Sequence, residues 1–319
     1  MTQGEIPPRE GGDAAPLIVI LGPTASGKSA LAIALAQKLK SEILVCDSTQ
    51  VYRHFDIGTA KVPPAEQQGI PHHLVDLVEP HEIFTAGDYR RNALATLEDL
   101  RHRKKLPIVT AGTGLYLRAL LEGLAEAPTR SEHLRERLRQ KARAHAPGHL
   151  HRILSRLDRE AAARIASRDT QKIIRALEMR ILSGKPVSEI HRGGRDALEG
   201  YHVLKIGLIP SRPALYARID ARVQSMLASG WLDEVRTLVA RGILADAKPF
   251  QFIGYSQLRE HLEGLISLDA AIGQIQQLTR NFAKCQITWF HKEPAVSWLP
   301  FFGDDCATAS SALDLLGDG

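Results

Sequence analysis

Short runs of apolar residues alternate along the chain with stretches in which apolar residues recur every three or four positions. The short runs predict β-strands at Leu17–Leu21, Glu42–Cys46, Leu74–Leu77, Leu106–Thr110 and Val203–Ile209. The helical spacing predicts helices at about 29–40, 87–105, 213–229, 232–241 and 268–290. Strands that alternate with helices in this way indicate an α/β fold, a mostly parallel sheet with flanking helices.

The pattern changes between residues 124 and 200. This segment is rich in Arg, Ala and Leu, contains no convincing strand, and ends in a stretch interrupted by glycines. We therefore predict a helical insert domain that divides the core into residues 17–123 and 201–300. Residues 1–16 mix Gly, Pro and acidic side chains and are predicted to form a flexible tail, and residues 301–319 are predicted to form a second tail.

Positive charge is concentrated in the insert. The whole sequence holds 41 Lys and Arg against 36 Asp and Glu, a net charge of +5, whereas residues 128–200 alone hold 17 against 9. Such an imbalance fits a polyanionic partner, and it equally fits solvated helix faces that bind nothing. Charge by itself leaves both interpretations open.

Several classes of protein do not fit the composition. The first residues lack the basic start and long apolar region of a signal peptide. The apolar run Leu17–Leu21 is far shorter than the ~20 residues of a membrane-spanning helix. Cys46, Cys285 and Cys306 are too few for a disulfide framework and too far apart for a zinc knuckle. We expect a soluble cytoplasmic protein with no membrane partner.

A glycine-rich loop joins the first predicted strand to the first predicted helix. It matches in full the pattern G-x-x-x-x-G-K-[ST], the P-loop of nucleotide-binding proteins, with Gly22, Pro23, Thr24, Ala25, Ser26, Gly27, Lys28 and Ser29. In such loops the backbone N–H groups converge on phosphate oxygens, the lysine adds a positive charge, and the Ser hydroxyl can ligate Mg²⁺. The chain is therefore predicted to bind a phosphate or diphosphate.

Further polar residues follow predicted strands, at the edge where parallel sheets bind ligands. The strand at 106–110 continues without a carboxylate, which weakens the interpretation as a nucleotide hydrolase. Thr113 in this turn either lies beside the phosphates or is a simple turn residue. Asp47 follows the second strand, at a position suited to a general base, and the alternative is that Asp47 or Ser48 caps a helix or a turn. Arg218 and Arg222, four residues apart on a helix, either clamp a phosphate together or are ordinary surface residues.

An ordered set of motifs resembles one family, the tRNA dimethylallyltransferases or isopentenyltransferases. Besides the P-loop the motifs are Asp47–Tyr52, Asp56–Lys61, Ala111–Tyr116, Asp169–Glu178, Arg218–Val223, Phe252–Tyr255 and Lys284–Trp289. The resemblance spans about residues 17–298. It implies transfer of a dimethylallyl group from dimethylallyl diphosphate to N6 of the adenosine just 3′ of a tRNA anticodon, with no ATP consumed. The sequence shows no C-terminal zinc finger of the eukaryotic type, which favours the bacterial form.

The resemblance also implies site residues. Asp47 matches the general base, and with Thr113, Lys28 and Arg222 it forms the expected catalytic set. Thr24 and Ser29 join these residues around the diphosphate and Mg²⁺, the expected cofactor. The tRNA anticodon stem-loop is expected to contact Asp47, Ser48, Thr49, Gln50, Thr113, Gln171, Lys172, Ile173, Ile174, Arg175, Gln251, Phe252, Ile253, Gly254, Tyr255 and Ser256, to which the charge of the insert adds Arg135.

One position departs from the family pattern. Gln251 stands where some relatives place a basic residue, so we expect its RNA contact to be weaker or limited to hydrogen bonds. We expect the protein to be a monomer.

Three other functions remain open at this stage. An adenylate isopentenyltransferase shares the chemistry but prenylates free adenine nucleotides, and the basic insert and Gln171–Arg175 favour RNA over these. A P-loop small-molecule kinase shares the loop and the sheet but would consume ATP. A non-enzymatic RNA-binding module fits the charge and leaves Lys28 and Asp47 without a purpose.

Overall fold

A six-stranded parallel sheet forms the centre of the protein. The computed structural model describes residues 14–125, 127–192 and 194–317. The strands are β1 (Ala15–Leu21), β2 (Glu42–Cys46), β3 (His72–His73), β4 (Pro107–Ala111), β5 (Tyr201–Leu208) and β6 (Val296–Leu299), in the spatial order β3-β2-β4-β1-β5-β6. The predicted α/β fold class is confirmed.

Helices flank the sheet and fill the insert. Those that accompany the sheet are α1 (Lys28–Leu39), α2 (Ala86–His102), α3 (Gly114–Glu122), α9 (Arg212–Ala228), α10 (Trp231–Ala240), α11 (Tyr255–Leu262), α12 (Leu268–Phe290) and α13 (Cys306–Gly317). Those of the insert are α4 (Glu132–Ala144), α5 (His149–Leu157), α6 (Arg159–Arg164), α7 (Thr170–Ser183) and α8 (Val187–Arg192). No described helix combines the length and apolar character needed to cross a membrane.

The central strands are continuous apolar runs because both faces of the sheet are covered. Every residue of β2 and β4 is buried, as are the last five of β1. In the sheet register Ala111 of β4 lies beside Leu21 of β1 on one side and Cys46 of β2 on the other. The three strands therefore end at the same level, and the segments that follow them leave the sheet side by side.

Two predictions about individual segments are wrong. A third strand was expected at Leu74–Leu77, but β3 covers only His72–His73, because Leu74 and Asp76 have φ values of 68° and 53°, which interrupt an extended strand. Residues 301–319 were expected to be a tail, yet α13 lies there and packs against α1 with Ala312 fully buried. Residues 1–13 of the other predicted tail lie outside the described residues, whereas Ala15 and Pro16 belong to β1.

The chain divides into two compact units. The first joins the described residues up to Leu120 with those from Glu199 onward, and the second spans Leu121–Leu198. The insert was predicted at 124–200. Within the second unit α4 to α8 surround their own apolar core, to which Leu154, Ile173 and Leu177 contribute.

A buried carboxylate organises the second unit. Glu178 on α7 is fully buried and accepts hydrogen bonds from Ser131 N (2.7 Å), Arg135 Nη2 (2.7 Å) and Arg175 Nη1 (2.6 Å). Burial alone would raise the pKa of Glu178, but the hydrogen bonds from Arg135 and Arg175 outweigh it and lower the pKa to about 2. Arg135 and Arg175 therefore hold the insert together, which is a different role from the RNA contact expected of them.

The Glu178→Gln variant should destabilise the second unit. The substitution removes the charge and leaves two half-buried guanidinium groups without their anion, which costs about 3 kcal/mol. Hydrogen exchange of the α7 amides in the intact protein measures this opening.

The lowered pKa of Glu178 also makes the stability of the wild type depend on pH. The ionised Glu178 stabilises the fold above about pH 4.5, and this contribution is lost as the pH falls toward about 2.

Glu132→Gln is the matched control, because Glu132 forms exposed pairs with Arg130 and Arg139. Exposed pairs contribute at most about 1 kcal/mol. Equal exchange rates in the two variants would contradict the assigned role of Glu178.

Candidate active site

The P-loop bends tightly between β1 and α1. A Cβ atom on Gly22 would lie 2.7 Å from the carbonyl oxygen of Leu208, and Gly27 has a φ of 87°, so both positions require glycine. The loop ends at the N-terminus of α1, where the first N–H groups of a helix have no partner within the helix. Such unpaired N–H groups are typical of a site for phosphate or another anion.

Lys28 is folded back over the start of the loop. Its Nζ donates hydrogen bonds to the carbonyl oxygens of Gly22 (2.9 Å) and Pro23 (2.8 Å). Burial lowers the pKa of Lys28 to about 8, Asp47 opposes this shift, and Arg222 adds to it. Lys28 is thus a cation in a desolvated position that a bound anion would stabilise.

Arg222 on α9 supplies a second cation at the loop. Its Nη1 lies 3.4 Å from Thr24 Oγ1, and burial together with the nearby Arg218 lowers its pKa. Arg218 does not share this position, because its guanidinium makes two hydrogen bonds, 2.7 and 2.8 Å, to the carboxylate of Asp304. The clamp of two arginines considered from their helical spacing is not formed.

Asp47 follows β2 and has one anchored oxygen. Its Oδ1 accepts hydrogen bonds from Thr49 N (2.8 Å) and Thr49 Oγ1 (2.7 Å). Its Oδ2 lies against Gly112, where a Cβ would come within 2.6 Å of it. No donor among the described residues bonds to Oδ2, so this oxygen is available to accept a proton from a substrate.

Thr113 supports the segment that carries Asp47. Its Oγ1 accepts a hydrogen bond from Ser48 N (2.9 Å) and donates one to Ser48 Oγ (3.2 Å). The N–H groups of Gly112 and Thr113 both bond to the carbonyl oxygen of Cys46. In this structure the Thr113 hydroxyl therefore fixes the Asp47 turn.

Gln286 on α12 is a site residue that the sequence analysis missed. Its Oε1 accepts a hydrogen bond from Thr24 N (2.7 Å) and its Nε2 donates one to the carbonyl oxygen of Gly112 (2.8 Å). One buried side chain thus connects the P-loop to the turn after β4. The signal in the sequence is a polar residue at an apolar position of the helix, inside the Lys284–Trp289 motif.

The residues expected to contact RNA fall into two groups. Gln171, Lys172 and Gln251 are exposed, and Phe252, Ile253 and Ser256 are partly exposed. In contrast, Ile173 and Ile174 lie in the apolar core of the second unit, and Gln50 bonds through Nε2 to the carbonyl oxygens of Thr59 (3.0 Å) and Ala60 (3.3 Å). The side chains of Ile173 and Ile174 are buried, so the expected RNA contact of these residues stays a prediction that concerns their backbone alone.

Gly254 and Tyr255 are also buried, around Trp231. A Cβ on Gly254 would lie 2.0 Å from the Trp231 ring, and one on Gly58 would lie 2.2 Å from it. The Tyr255 hydroxyl donates to Glu234 (2.6 Å), whose carboxylate also accepts from Ile57 N (2.8 Å). Gly254 and Tyr255 therefore support the packing around Trp231, and their expected contact with RNA stays a prediction.

A shallow cavity of about 420 Å³ opens on α12. It is lined by Asn281, Lys284, Cys285, Thr288, Trp289 and Lys292. The two lysines make it a positively charged surface with an aromatic side chain. Four of these residues, Lys284, Cys285, Thr288 and Trp289, belong to the motif Lys284–Trp289, which the sequence analysis did not identify as a site.

Comparison with known proteins gives one consistent result and confirms the family resemblance. A model of the family described as IPP transferase matches residues 50–293. A tRNA dimethylallyltransferase of Solibacter usitatus is 51% identical over 299 residues, which cover 94% of this chain and 97% of the relative.

Solved structures agree with this result. The tRNA isopentenylpyrophosphate transferase of Bacillus halodurans superposes with a TM-score of 0.69 at 34% identity, over 95% of this chain and 97% of that one. A eukaryotic dimethylallyltransferase acting on tRNA superposes with a TM-score of 0.82 at 27% identity, over 95% of this chain and 78% of that one. Similarity of this extent, along most of the chain, means that the protein belongs to the IPP transferase family.

Proposed function

We propose that this chain transfers a dimethylallyl group from dimethylallyl diphosphate to N6 of the adenosine just 3′ of a tRNA anticodon. The observation that carries the proposal is that the segments holding Asp47, Lys28 and Arg222 lie side by side at one edge of the sheet. Gln286 connects them, because it bonds to Thr24 of the P-loop and to Gly112, which lies against Asp47. A carboxylate beside two phosphate-binding cations can accept a proton while a diphosphate leaves. The names of the relatives, tRNA dimethylallyltransferase and tRNA isopentenylpyrophosphate transferase, support this chemistry.

The P-loop holds the leaving group. The N–H groups at the start of α1, the ammonium of Lys28 and the guanidinium of Arg222 surround the position of a diphosphate. When the bond between C1 of the dimethylallyl group and its oxygen breaks, negative charge grows on the diphosphate. Cations fixed in a desolvated site stabilise that charge more strongly than water does.

Mg²⁺ fits this site as a partner of the diphosphate. Ser29 is exposed at the end of the P-loop, and no group of three or more His, Cys, Asp or Glu in the described chain could form a protein cage for a metal ion. Mg²⁺ commonly binds in this way, through substrate phosphates and few protein ligands. The Ser29 hydroxyl would hold the ion, which when bound neutralises part of the diphosphate charge.

Asp47 acts on the acceptor. An exocyclic adenine amine is a weak nucleophile because its lone pair is delocalised into the ring. A hydrogen bond from N6 to Asp47 Oδ2 orients the amine, and the carboxylate takes the proton as the new C–N bond forms. The Thr49 bonds to Oδ1 keep the carboxylate in place during the transfer.

Exposed arginine side chains of the insert bind the phosphates of the RNA. The acceptor adenine must leave its stack to reach the site, and a loop of single-stranded RNA permits this. Arg152 and Arg156 lie one turn apart on α5, are exposed, and have no acidic partner among the described residues. We assign the phosphate contacts of the insert, residues 121–198, to such cations in place of Arg135 and Arg175. We further propose that the enzyme acts as a monomer.

A prenylation assay tests the function and the role of Asp47 together. With Mg²⁺ and labelled dimethylallyl diphosphate, the protein should add one five-carbon unit to an anticodon stem-loop at the adenosine. Asp47→Asn should lower kcat by about 10²–10⁴-fold because the base is removed, with RNA affinity almost unchanged. Asp99→Asn, on the exposed side of α2, is the control and should retain activity.

Other outcomes of this assay identify the competing functions. Consumption of ATP without prenylated RNA would indicate a kinase. Prenylation of AMP in preference to the stem-loop would indicate an adenylate isopentenyltransferase. Weakened RNA binding with an unchanged rate in Asp47→Asn would contradict its assignment as the base.

The lowered pKa of Lys28 predicts that diphosphate affinity depends on pH. Lys28 binds the anion when protonated, and it loses the proton as the pH rises through its pKa of about 8. Between about pH 7 and about pH 9, the dissociation constant of pyrophosphate should rise roughly tenfold more in the wild type than in Lys28→Arg, whose side chain stays charged. Calorimetry measures the dissociation constant for both proteins, and the comparison removes the effect of the protonation of pyrophosphate itself. The same pH dependence of the dissociation constant in both proteins would rule out this role of Lys28.

Salt dependence tests the RNA grip. Neutralising Arg152 and Arg156 to Gln should reduce the slope of log affinity against log salt concentration by about 0.7–0.9 for each RNA phosphate that the protein no longer neutralises. Arg164→Gln with Arg192→Gln is the matched control, because both guanidinium groups already pair with Glu160 (2.5 and 2.8 Å). The same change of slope in both double variants would show that Arg152 and Arg156 bind RNA phosphates no more than the paired arginines do.

A further inference from the structure

The segment Phe301–Asp305, here called the brace, lies against the P-loop. It connects β6 to α13 and falls outside the residues 50–293 that match the family model. Gly303 N donates a hydrogen bond of 2.8 Å to the carbonyl oxygen of Ser26. A Cβ on Gly303 would lie 2.1 Å from the carbonyl oxygen of Gly27, so the brace and the loop touch backbone to backbone.

A bidentate ion pair holds the brace to α9. Arg218 Nη1 and Nη2 donate to the two carboxylate oxygens of Asp304 at 2.7 and 2.8 Å, and the guanidinium lies 4.6 Å from the centre of the Phe302 ring. Phe302 also packs against an apolar cluster that contains Ala25 of the P-loop and Leu215 of α9. A fork of two parallel hydrogen bonds fixes direction as well as distance.

The hydrogen bond to the Ser26 carbonyl fixes the orientation of the next peptide unit in the P-loop. The peptide unit between Ser26 and Gly27 is planar, and its C=O and N–H point in opposite directions. Because Gly303 holds the Ser26 carbonyl toward the brace, the Gly27 N–H points away from the brace. A rotation of this peptide would change the direction in which the P-loop presents the Gly27 N–H.

We propose that the brace, held by the Arg218–Asp304 pair and by the contact of Gly303 with Gly27, keeps the P-loop in the shape that binds diphosphate. Arg218 is then a positioning residue that acts through Asp304 and touches no phosphate. The identity of the diphosphate as that of a prenyl donor rests on the proposed function. The geometry of the brace does not depend on that identity.

Two single variants test the brace through inorganic pyrophosphate as the probe. Asp304→Asn removes the charged partner of Arg218, and Gly303→Ala places a methyl group against the backbone of Gly27. Each should weaken pyrophosphate binding about five- to tenfold in calorimetry with Mg²⁺. KM for dimethylallyl diphosphate should rise by the same factor while kcat changes less than about twofold, because Asp47 is untouched.

Matched controls separate the brace from general effects on folding. A Cβ on Gly273, in α12, meets no atom within 4 Å, so Gly273→Ala is one control. Asp220→Asn is the other, because it breaks the pair between Asp220 on α9, two residues from Arg218, and Arg280 on α12. Neither should change pyrophosphate affinity. Thermal unfolding of all four variants compares their stability, and Asp304→Asn keeps the test valid if Gly303→Ala does not fold.

Each result decides between explanations. If Asp304→Asn binds pyrophosphate equally or more tightly, Arg218 is itself a phosphate ligand released from Asp304, and the proposal is overturned. Lower thermal stability with unchanged affinity would also overturn it, since the brace would then be structural only. If the wild type binds pyrophosphate but prenylates no RNA, the proposed function is wrong. The role of the brace is then still decided by the pyrophosphate affinity of Asp304→Asn and Gly303→Ala.

Discussion

The common level at which β1, β2 and β4 end is the constraint on which the site depends. Because these parallel strands are in register at Leu21, Cys46 and Ala111, the P-loop, Asp47 and the Gly112–Thr113 turn leave the sheet as neighbours. Gln286 then bonds to both the loop and the turn from α12. A shift of one strand would separate the group that accepts a proton from the groups that bind the diphosphate.

Charge balance within this edge explains how buried cations are tolerated. Burial lowers the pKa of Lys28, and the negative charge of Asp47 opposes the shift. Arg222 lies at the same loop, so the site without substrate has more positive than negative charge, as a site for a diphosphate requires. In the proposed reaction the carboxylate serves the incoming amine while the cations serve the leaving group, and neither task needs ATP.

The family motifs contain two kinds of residue. Asp47 and Lys28 carry the proposed chemistry, whereas Gly254 and Tyr255 pack around Trp231, and Ile173 and Ile174 fill the core of the second unit. The basic residues of the insert divide in the same way. Arg135 and Arg175 neutralise the buried Glu178, while Arg152 and Arg156 are exposed. Resemblance locates a motif, and burial decides which of its residues can meet a ligand.

The sequence alone determined the α/β fold class, the P-loop and the position of Asp47, because periodicity and loop patterns depend on residues close together in the chain. It missed the limits of β3, because the apolar pattern that predicted a strand does not reveal the left-handed backbone at Leu74. Only the tertiary structure decided that Gln286 joins the loop to the turn, and that Arg218 pairs with Asp304. These contacts join residues separated by 86 to 262 positions, and their pairing depends on how the helices pack against the sheet.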